Sequence, residues 1–100
     1  MPQMLSGKRS SVLQLIMYYV YIIFSKKLNR YYVGHTTDLF KRLIEHNSGI
    51  SNFTSKANDW VLKFTEEFET REIARLKELE IKKKKSRKYI EWIIEIKQKI

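Results

Sequence analysis

Two tyrosines, an arginine and a glutamate in this chain are of residue types that could together hydrolyse a phosphate ester. They are Tyr21, Tyr32, Arg42 and Glu78. A phenol can orient or deprotonate a water molecule, although its ordinary pKa of about 10 makes it a poor proton acceptor unless a cation lies nearby. The guanidinium of Arg42 can supply that charge and bind phosphate oxygens, and the carboxylate of Glu78 can hold one divalent ion.

Short motifs surround these candidates. The triplet Tyr-Val-Tyr at 19–21 is followed by Tyr-Val-Gly at 32–34, then by Arg42, and later by Glu78 in a helical stretch. In this order the motifs resemble those of the GIY-YIG nuclease family, and the resemblance covers about residues 18–94. It is closest to small stand-alone members that are similar to the N-terminal nuclease domain of the excinuclease subunit UvrC.

The resemblance implies a metal-dependent endonuclease that hydrolyses phosphodiester bonds in DNA, with a role in DNA repair or recombination. Tyr21 and Tyr32 would manage the attacking water, and which of them is the base stays open. Arg42 would bind the phosphate, and Glu78 would hold one Mg²⁺ or Mn²⁺ ion. His35, at the end of the second predicted strand, would support catalysis by hydrogen bonding the water or the phosphate.

Ordinary structural explanations exist for the same residues. Tyrosines in paired strands usually pack across the sheet, and Arg42 could pair with Asp38 one helical turn earlier. His46 is interpreted as a hydrogen-bonding residue at a helix end rather than as a metal ligand. Tyr19 departs from the family pattern, which has a glycine there, and its side chain would share a sheet face with Tyr21.

Glu80 competes with Glu78 for the role of metal ligand. On a helical wheel Glu80 falls inside an apolar arc, whereas Glu78 lies at the edge of that arc beside Ala74 and Ile81. A buried carboxylate is costly unless it meets a metal or a cation, so both positions are open on this ground. The family's spacing favours Glu78. The residues that form the arc are Ile73, Leu76 and Leu79.

The composition fits one small, basic domain. A chain of 100 residues with 43% apolar content can form one modest core but has no room for a second substrate-binding domain. It contains no cysteine, which excludes disulfides, thiolate metal sites and a cysteine nucleophile and is typical of a cytoplasmic protein. The formal charge of +9 favours a polyanionic partner such as DNA, with RNA as an alternative.

The N-terminal segment is apolar over residues 11–24 and follows Lys8 and Arg9. This stretch is too short to cross a bilayer, Gln14 interrupts it, and no small-residue cleavage site follows it. Neither a membrane span nor a signal peptide is therefore predicted. We expect residues 1–16 to form a largely mobile extension and residues 17–97 to form a single domain.

The apolar pattern predicts an α+β fold. Two strands alternate in burial and are joined by a polar link of even length, so Tyr21 and Tyr32 should share one face of an antiparallel hairpin. If Phe24 pairs with Asn29, the two tyrosines lie directly opposite each other. The predicted order is β-β-α-β-α-α, a small antiparallel three-stranded sheet flanked by helices, as the family resemblance also implies. The predicted strands cover residues 18–24, 31–35 and 60–68.

Capping residues predict where the three helices begin and end. Thr37 or Asp38 begins the first helix, which stops at residues 47–49. Thr70 begins the second helix and Ser86 begins the third. Side chains expected to face inward are Leu39, Phe40, Leu43 and Ile44 in the first helix, Tyr89, Ile90, Ile93 and Ile94 in the third, and Trp60, Leu62 and Phe64 in alternation along the last strand.

Basic residues are the candidates for nucleic-acid contacts. A dense run at residues 82–88 follows the helix that carries Glu78, and other cations lie in the hairpin link and in the loop 50–59. Such runs are most often solvated surfaces, and their functional interpretation is phosphate contact without sequence choice. The candidates are Lys26, Lys27, Arg30, Lys56, Lys82, Lys83, Lys84, Lys85, Arg87 and Lys88.

Two functions stay open at this point. One is the endonuclease, and the other is a non-catalytic basic module that binds nucleic acid on the same scaffold, with repair proteins as partners. Both predict salt-sensitive binding, and only metal-dependent cleavage separates them. The chain has no recognisable reader of DNA sequence, so the preference for plain, structured or branched DNA is open, as is the oligomeric state.

Overall fold

The computed structural model describes residues 16–99, so the expectation for the extension at residues 1–16 lies almost wholly outside the described residues. The elements follow in the order β-β-α-β-α-α, which confirms the predicted α+β fold. They are β1 (Tyr18–Ser25), β2 (Arg30–Thr36), α1 (Leu39–Asn47), β3 (Trp60–Phe68), α2 (Arg71–Lys84) and α3 (Arg87–Lys99).

The three strands form one antiparallel sheet in the order β2-β1-β3, so β2 is an edge strand. Tyr21 and Tyr32 share a face of the sheet, as predicted. The register predicted for them is wrong, because Tyr21 pairs with Gly34 rather than with Tyr32. The turn begins one residue later than assumed: Ser25 still belongs to β1 and Asn29 adopts a left-handed conformation, with φ 55°, within the turn.

One face of the sheet carries an apolar core. Val20 and Ile22 of the central strand are fully buried there against Ala74 and Ile81 of α2. The predicted inward residues of α3 all reach this core, which confirms the orientation of that helix. The other members of the core are Val33, Phe64 and Ile94, with Tyr89, Ile90 and Ile93 packed at its margin.

The other face is covered by α1 and by the loop at residues 50–59. Leu39 and Leu43 pack here, as predicted, but Phe40 and Ile44 are 83% and 65% exposed, which contradicts the predicted stripe. The inward side of α1 instead continues from the two leucines to His46, seven residues after Leu39 and therefore on the same side of the helix. Polar residues thus occupy part of the face that an apolar pattern alone assigned to Phe40 and Ile44.

A bulge in β3 changes which of its residues face each layer. Ile22 pairs with Phe64, but Ile23 pairs with Leu62, so Lys63 is left between the two pairs. Simple alternation put Trp60 and Phe64 on one face, and the bulge places them on opposite faces: Phe64 joins the α2 side and Trp60 joins the α1 side. Leu62, at 38% exposed, belongs to neither core.

The helix starts agree with the predicted capping residues. The carboxylate of Asp38 accepts a hydrogen bond from the backbone N–H of Lys41 at 3.1 Å, and Thr70 caps α2 in the same way. Ser86 accepts from the N–H of Tyr89 at 3.1 Å and begins α3. In the part of the chain that the structure describes, no helix has the length and apolarity that crossing a membrane requires.

Candidate active site

Tyr21 lies at the centre of the sheet and is only 2% exposed. Its ring extends across the neighbouring edge strand over Gly34, its pairing partner. A Cβ atom at position 34 would lie 2.6 Å from Tyr21 Oη and 2.8 Å from Cζ, which is closer than side-chain atoms approach one another. Glycine at this position therefore makes the room that the Tyr21 ring occupies.

The Tyr21 hydroxyl contacts a buried histidine. Tyr21 Oη lies 2.7 Å from Nε2 of His46, and Nδ1 of the same ring lies 2.7 Å from Oγ1 of Thr54. His46 and Thr54 are both fully buried. The three side chains form a continuous hydrogen-bonded chain from the sheet, through α1, to the loop that covers this face.

His46 was not among the predicted catalytic residues, and the structure makes it the partner of Tyr21. The interpretation of His46 as a hydrogen-bonding residue is correct in kind, but its place is the buried interior rather than a solvated helix end. A signal was present in the sequence: His46 follows Arg42 by four residues, which puts both on one face of a helix.

Burial controls the protonation of both rings. It lowers the pKa of His46 to about 4, with help from the charge of Arg42, so the imidazole is neutral at pH 7. Burial also raises the pKa of Tyr21 well above its ordinary value, with Tyr32 adding to the effect, whereas the nearby Arg42 acts in the opposite direction. At neutral pH the resting pair is thus a phenol beside a neutral imidazole.

Arg42 lies on α1 one turn before His46 and carries a charge that acts on this pair. Its Nη1 donates to Oε1 of Glu45 at 2.9 Å, while Asp38 caps the helix, so the alternative pairing of Arg42 with Asp38 is absent. Although burial alone would lower the pKa of Arg42, the Glu45 contact and the two tyrosines raise it. The guanidinium is therefore a permanent positive charge beside Tyr21.

Glu78 faces the opposite side of the edge strand. Its Oε1 accepts from His35 Nδ1 at 2.5 Å and its Oε2 accepts from Lys82 Nζ at 2.5 Å. Burial by itself raises the pKa of Glu78, but the hydrogen bonds from Lys82 and His35 outweigh it and hold the pKa below its ordinary value. The carboxylate is ionised at neutral pH, and its side chain is 12% exposed.

The buried side of α2 differs from the predicted arc. Ala74 and Ile81 are buried and Glu78 lies between them, one turn from each, whereas the arc of Ile73, Leu76 and Leu79 is at least 46% exposed. Glu80 belongs to that outer side: its side chain is 52% exposed and lies 3.9 Å from Lys77. The side of α2 with the larger apolar residues is therefore not the buried one, because the sheet packs against the side with the small Ala74.

Tyr32 connects the two halves of the site at the edge of the sheet. Its ring centroid lies 6.4 Å from that of Tyr21 and 4.9 Å from that of His46. On its other side Lys82 Nζ lies 5.8 Å from the ring centroid, while bonding Glu78. The site therefore spans both faces of β2, with the tyrosines and His46 on the α1 side and Glu78 with His35 on the α2 side.

The donor set at Glu78 is compatible with one hard cation. Within residues 16–99 there is no group of three or more histidine, aspartate or glutamate side chains that could enclose a metal ion. Mg²⁺ keeps several of its own waters and needs few protein ligands, so one ionised, partly exposed carboxylate is sufficient. Lys82 now supplies the positive charge at this carboxylate and would exchange its place with the ion.

The predicted nucleic-acid contacts fall into two groups. Four cationic side chains line a groove beside Tyr32, and two of these are also held by carboxylates, Lys82 by Glu78 and Arg87 by Glu91. The members of this group are Arg30, Lys82, Lys85 and Arg87. The remaining candidates lie exposed elsewhere on the surface, and they are Lys26, Lys27, Lys56, Lys83, Lys84 and Lys88.

The family model described as the GIY-YIG catalytic domain matches residues 17–90, which include all four motif residues named at the outset. This chain belongs to the GIY-YIG family. The UPF0213 protein VNG_2274C of Halobacterium salinarum is 36% identical over 67 residues, which cover 66% of this chain and 86% of that protein. No solved structure matches the chain. The GIY-YIG family is one of nucleases, so the resemblance read from the motifs is confirmed.

Proposed function

We propose that this GIY-YIG protein is a metal-dependent endonuclease that hydrolyses phosphodiester bonds in DNA. The observation that carries the proposal is the contact of Tyr21 with neutral, buried His46 beside the edge strand β2, whose His35 binds Glu78 of α2. A nuclease needs a proton acceptor for the attacking water, a cation for the phosphate and a ligand for a metal ion. Tyr21 together with His46 would accept the proton, Arg42 would supply the cation, and Glu78 would hold the metal ion.

Tyr21 can accept a proton only by passing its own proton onward. Its raised pKa leaves almost no phenolate at neutral pH, so the hydroxyl cannot act alone as a base. In the tautomer with the proton on Nδ1, His46 donates to Thr54 Oγ1 and presents a bare Nε2 to Tyr21, 2.7 Å away. As Tyr21 Oη takes the proton of the water, the phenolic proton moves to His46 Nε2.

Substrate binding makes this transfer easier. The charge of Arg42 lowers the pKa of His46 in the resting site. A phosphate bound by Arg42 cancels part of that charge, so His46 becomes a better proton acceptor when the substrate is in place. Arg42 would at the same time stabilise the negative charge that grows on the phosphate oxygens during attack.

Glu78 is the residue that would hold the metal ion, with His35 orienting its carboxylate through the contact at Oε1. When bound there, a divalent ion supplies neutralisation of the charge on the leaving oxygen. With an ion held there, Lys82 would lose its place at the carboxylate and would be available to a phosphate of the substrate. Tyr32, between Lys82 and His46, closes the site from the groove side.

The test is cleavage of labelled linear, flapped and branched DNA in Mg²⁺, Mn²⁺ or EDTA by wild-type protein, Glu78→Ala and Glu80→Ala. We expect metal-dependent cleavage that Glu78→Ala abolishes and Glu80→Ala retains, because Glu80 is exposed and its side chain contacts Lys77 and Tyr89 outside the candidate site. DNA binding should survive in both variants. Loss of cleavage in Glu80→Ala with full activity in Glu78→Ala would show that Glu80, and not Glu78, holds the metal ion.

A second candidate function is a nucleic-acid-binding module without catalysis, acting with repair proteins on structured or branched DNA or on RNA. The specific observation in its favour is that both oxygens of Glu78 already have partners in this chain, His35 and Lys82. In that case binding weakens with salt, but neither the wild type nor the variants cut any of the substrates in either metal.

A further inference from the structure

A groove of about 570 Å³ opens beside the candidate active site. It lies between the edge strand β2, the turn that joins α2 to α3, and the loop that carries Phe53. Its volume falls within the range of about 300–1,000 Å³ that is usual for pockets that hold a small organic group. Tyr32 and Lys82 belong to both the groove and the candidate active site, so a group that fills the groove lies next to that site.

The walls of the groove are aromatic at the side nearest the site. Phe53 meets the Tyr32 ring edge-on, with centroids 5.5 Å apart, and yet 64% of Phe53 is exposed. The packing of Phe53 in this chain leaves most of its face in contact with water. A flat apolar face beside an aromatic edge is the surface on which a nucleic-acid base stacks.

The charge of the groove has one sign. Its lining includes four cationic side chains and no aspartate or glutamate, among the residues that the structure describes. Within that same described range, Arg30 and Lys85 have no carboxylate within 4 Å, so both are available to a ligand. Arg87 instead holds the wall together, because its two terminal nitrogens donate to the backbone and side-chain oxygens of Asn29.

Aromatic faces and unopposed cations in one groove fit a nucleotide, which combines a flat base with a phosphate. A base inside an intact duplex cannot use this surface, because both of its faces are already stacked on neighbouring bases. An unpaired nucleotide can use it, since its base is able to leave the stack at low cost.

We propose that this groove binds one unpaired nucleotide of the substrate immediately beside the phosphodiester that is cut, with its base on Phe53 and Tyr32 and its phosphate on Arg30 and Lys85. The position of that nucleotide rests on the proposed nuclease function, whereas its binding does not. The preferred substrate is therefore DNA with single-stranded character at the cleavage point, such as a flap, and not a continuous duplex.

Binding in EDTA tests the groove without cleavage. Three DNAs of one sequence are compared: a continuous duplex, the same duplex with a one-nucleotide flap of 2-aminopurine, and the single strand. We expect tighter binding of the flapped DNA and quenching of its 2-aminopurine as the base stacks. Phe53→Ala should weaken binding of the flapped DNA by about tenfold or more, abolish the quenching and leave the duplex unaffected. The control is Phe40→Ala, which removes an exposed phenylalanine of α1 that does not line the groove.

A pair of lysine variants separates the groove from general attraction of DNA. Lys85 lines the groove, and Lys88 lies three residues later in the same basic run but outside the lining. Lys85→Gln should lower the affinity for flapped DNA more than for duplex, whereas Lys88→Gln should lower both equally or not at all.

Equal affinity of the wild type for flapped and continuous DNA, or equal losses from Phe53→Ala and Phe40→Ala, would overturn the groove proposal. Cleavage that depends on Glu78 would still be measurable in that case, so the nuclease proposal would stand. Conversely, a wild-type protein that quenches the 2-aminopurine of the flapped DNA but never cuts DNA would end the nuclease proposal and leave the groove proposal standing.

Discussion

The two faces of the sheet in this protein are held in different ways. On the α2 side, Val20 and Ile22 pack against Ala74 and Ile81 in a core whose buried members are all apolar, and the pair His35–Glu78 lies at its edge. On the α1 side, the same strand sends Tyr21 into a buried hydrogen-bonded chain. One strand thus contributes alternate residues to an apolar core and to a layer that contains a buried polar network, because side chains along a strand alternate between its faces.

The difference separates stability from chemistry. Apolar burial stabilises a fold in proportion to the area removed from water, whereas each buried hydrogen bond contributes only about 0.5–1.5 kcal/mol net, and a satisfied network holds its groups in fixed positions. In this small domain the apolar core on the α2 side should therefore determine most of the free energy of unfolding, and the α1 side should determine the proton transfer of cleavage. Glu78, at the edge of the α2 side, is the exception, because it is the proposed metal ligand. Four predictions test that division.

The largest expected effect is on stability. Ile22→Ala on the apolar side should lower the free energy of unfolding by about 2–5 kcal/mol, since Ile22 is fully buried and the change leaves a cavity. Urea unfolding followed by circular dichroism measures it. Leu76→Ala on the exposed side of α2 is the control and should change stability by only about 0.5 kcal/mol. Similar losses in both variants would contradict the placement of the core.

On the polar side, His46→Gln should reduce the cleavage rate by about 10²–10³. An amide oxygen can still accept a hydrogen bond from Tyr21, but it cannot take up a proton at neutral pH. The free energy of unfolding should fall by less than for Ile22→Ala. Single-turnover cleavage and urea unfolding of the same preparation give both values. Wild-type cleavage by His46→Gln would exclude His46 as the proton acceptor and leave only a positioning role.

The next effect concerns the glycine that makes room for Tyr21. Gly34→Ala places a Cβ atom 2.6 Å from Tyr21 Oη, so the buried ring must shift. A displacement of about 1 Å at a reacting group can cost about 10² in rate, and we expect a loss of this size in cleavage. DNA binding should change little. Gly49→Ala has open space around its side chain, and it controls for the loss of a glycine elsewhere, although its φ of 79° carries its own strain.

The smallest effect is a dependence of stability on pH. The folded state keeps His46 neutral with a pKa of about 4, against an ordinary value of 6.5 in the unfolded chain. Between these values the unfolded chain binds the extra proton, so stability should fall as the pH drops below about 6.5, by about 2 kcal/mol at pH 5. Above about pH 6.5 His46 is neutral in both the folded and the unfolded chain, so this loss of stability is absent there.

His46→Gln is the control for the pH effect, since it removes this titration and should flatten the slope between about pH 6.5 and 5. The lowered pKa of Glu78 adds a loss only at lower pH, because that contribution disappears as the pH falls below the ordinary carboxylate value. An unchanged slope in His46→Gln would mean that another group is responsible.

Much of the fold follows from patterns between residues that are close in the chain. The strands of the hairpin, the capping residues Asp38, Thr70 and Ser86 and the shared face of Tyr21 and Tyr32 are all confirmed, because period-two alternation and capping depend only on neighbours. The spacing of the motifs was sufficient to identify the GIY-YIG family.

The sequence left open, or misassigned, whatever depends on the partner of each element. It put Phe40 in the core and placed the hydrogen bonding of His46 at a helix end, because the inward side of α1 is set by the sheet and the loop around it and not by the pattern of α1 itself. For the same reason the bulge in β3 was not predicted, and it sends Trp60 and Phe64 to opposite layers.

The candidate site divides along the same line. The sequence alone determined the residue types and their order, from Tyr21 to Glu78, since those are written in the chain. Only the tertiary structure decided that Glu78 rather than Glu80 faces the edge strand, that His46 contacts Tyr21, and that a cationic groove adjoins them. These contacts join residues far apart in the chain, and such proximity exists only after the helices have packed on the sheet.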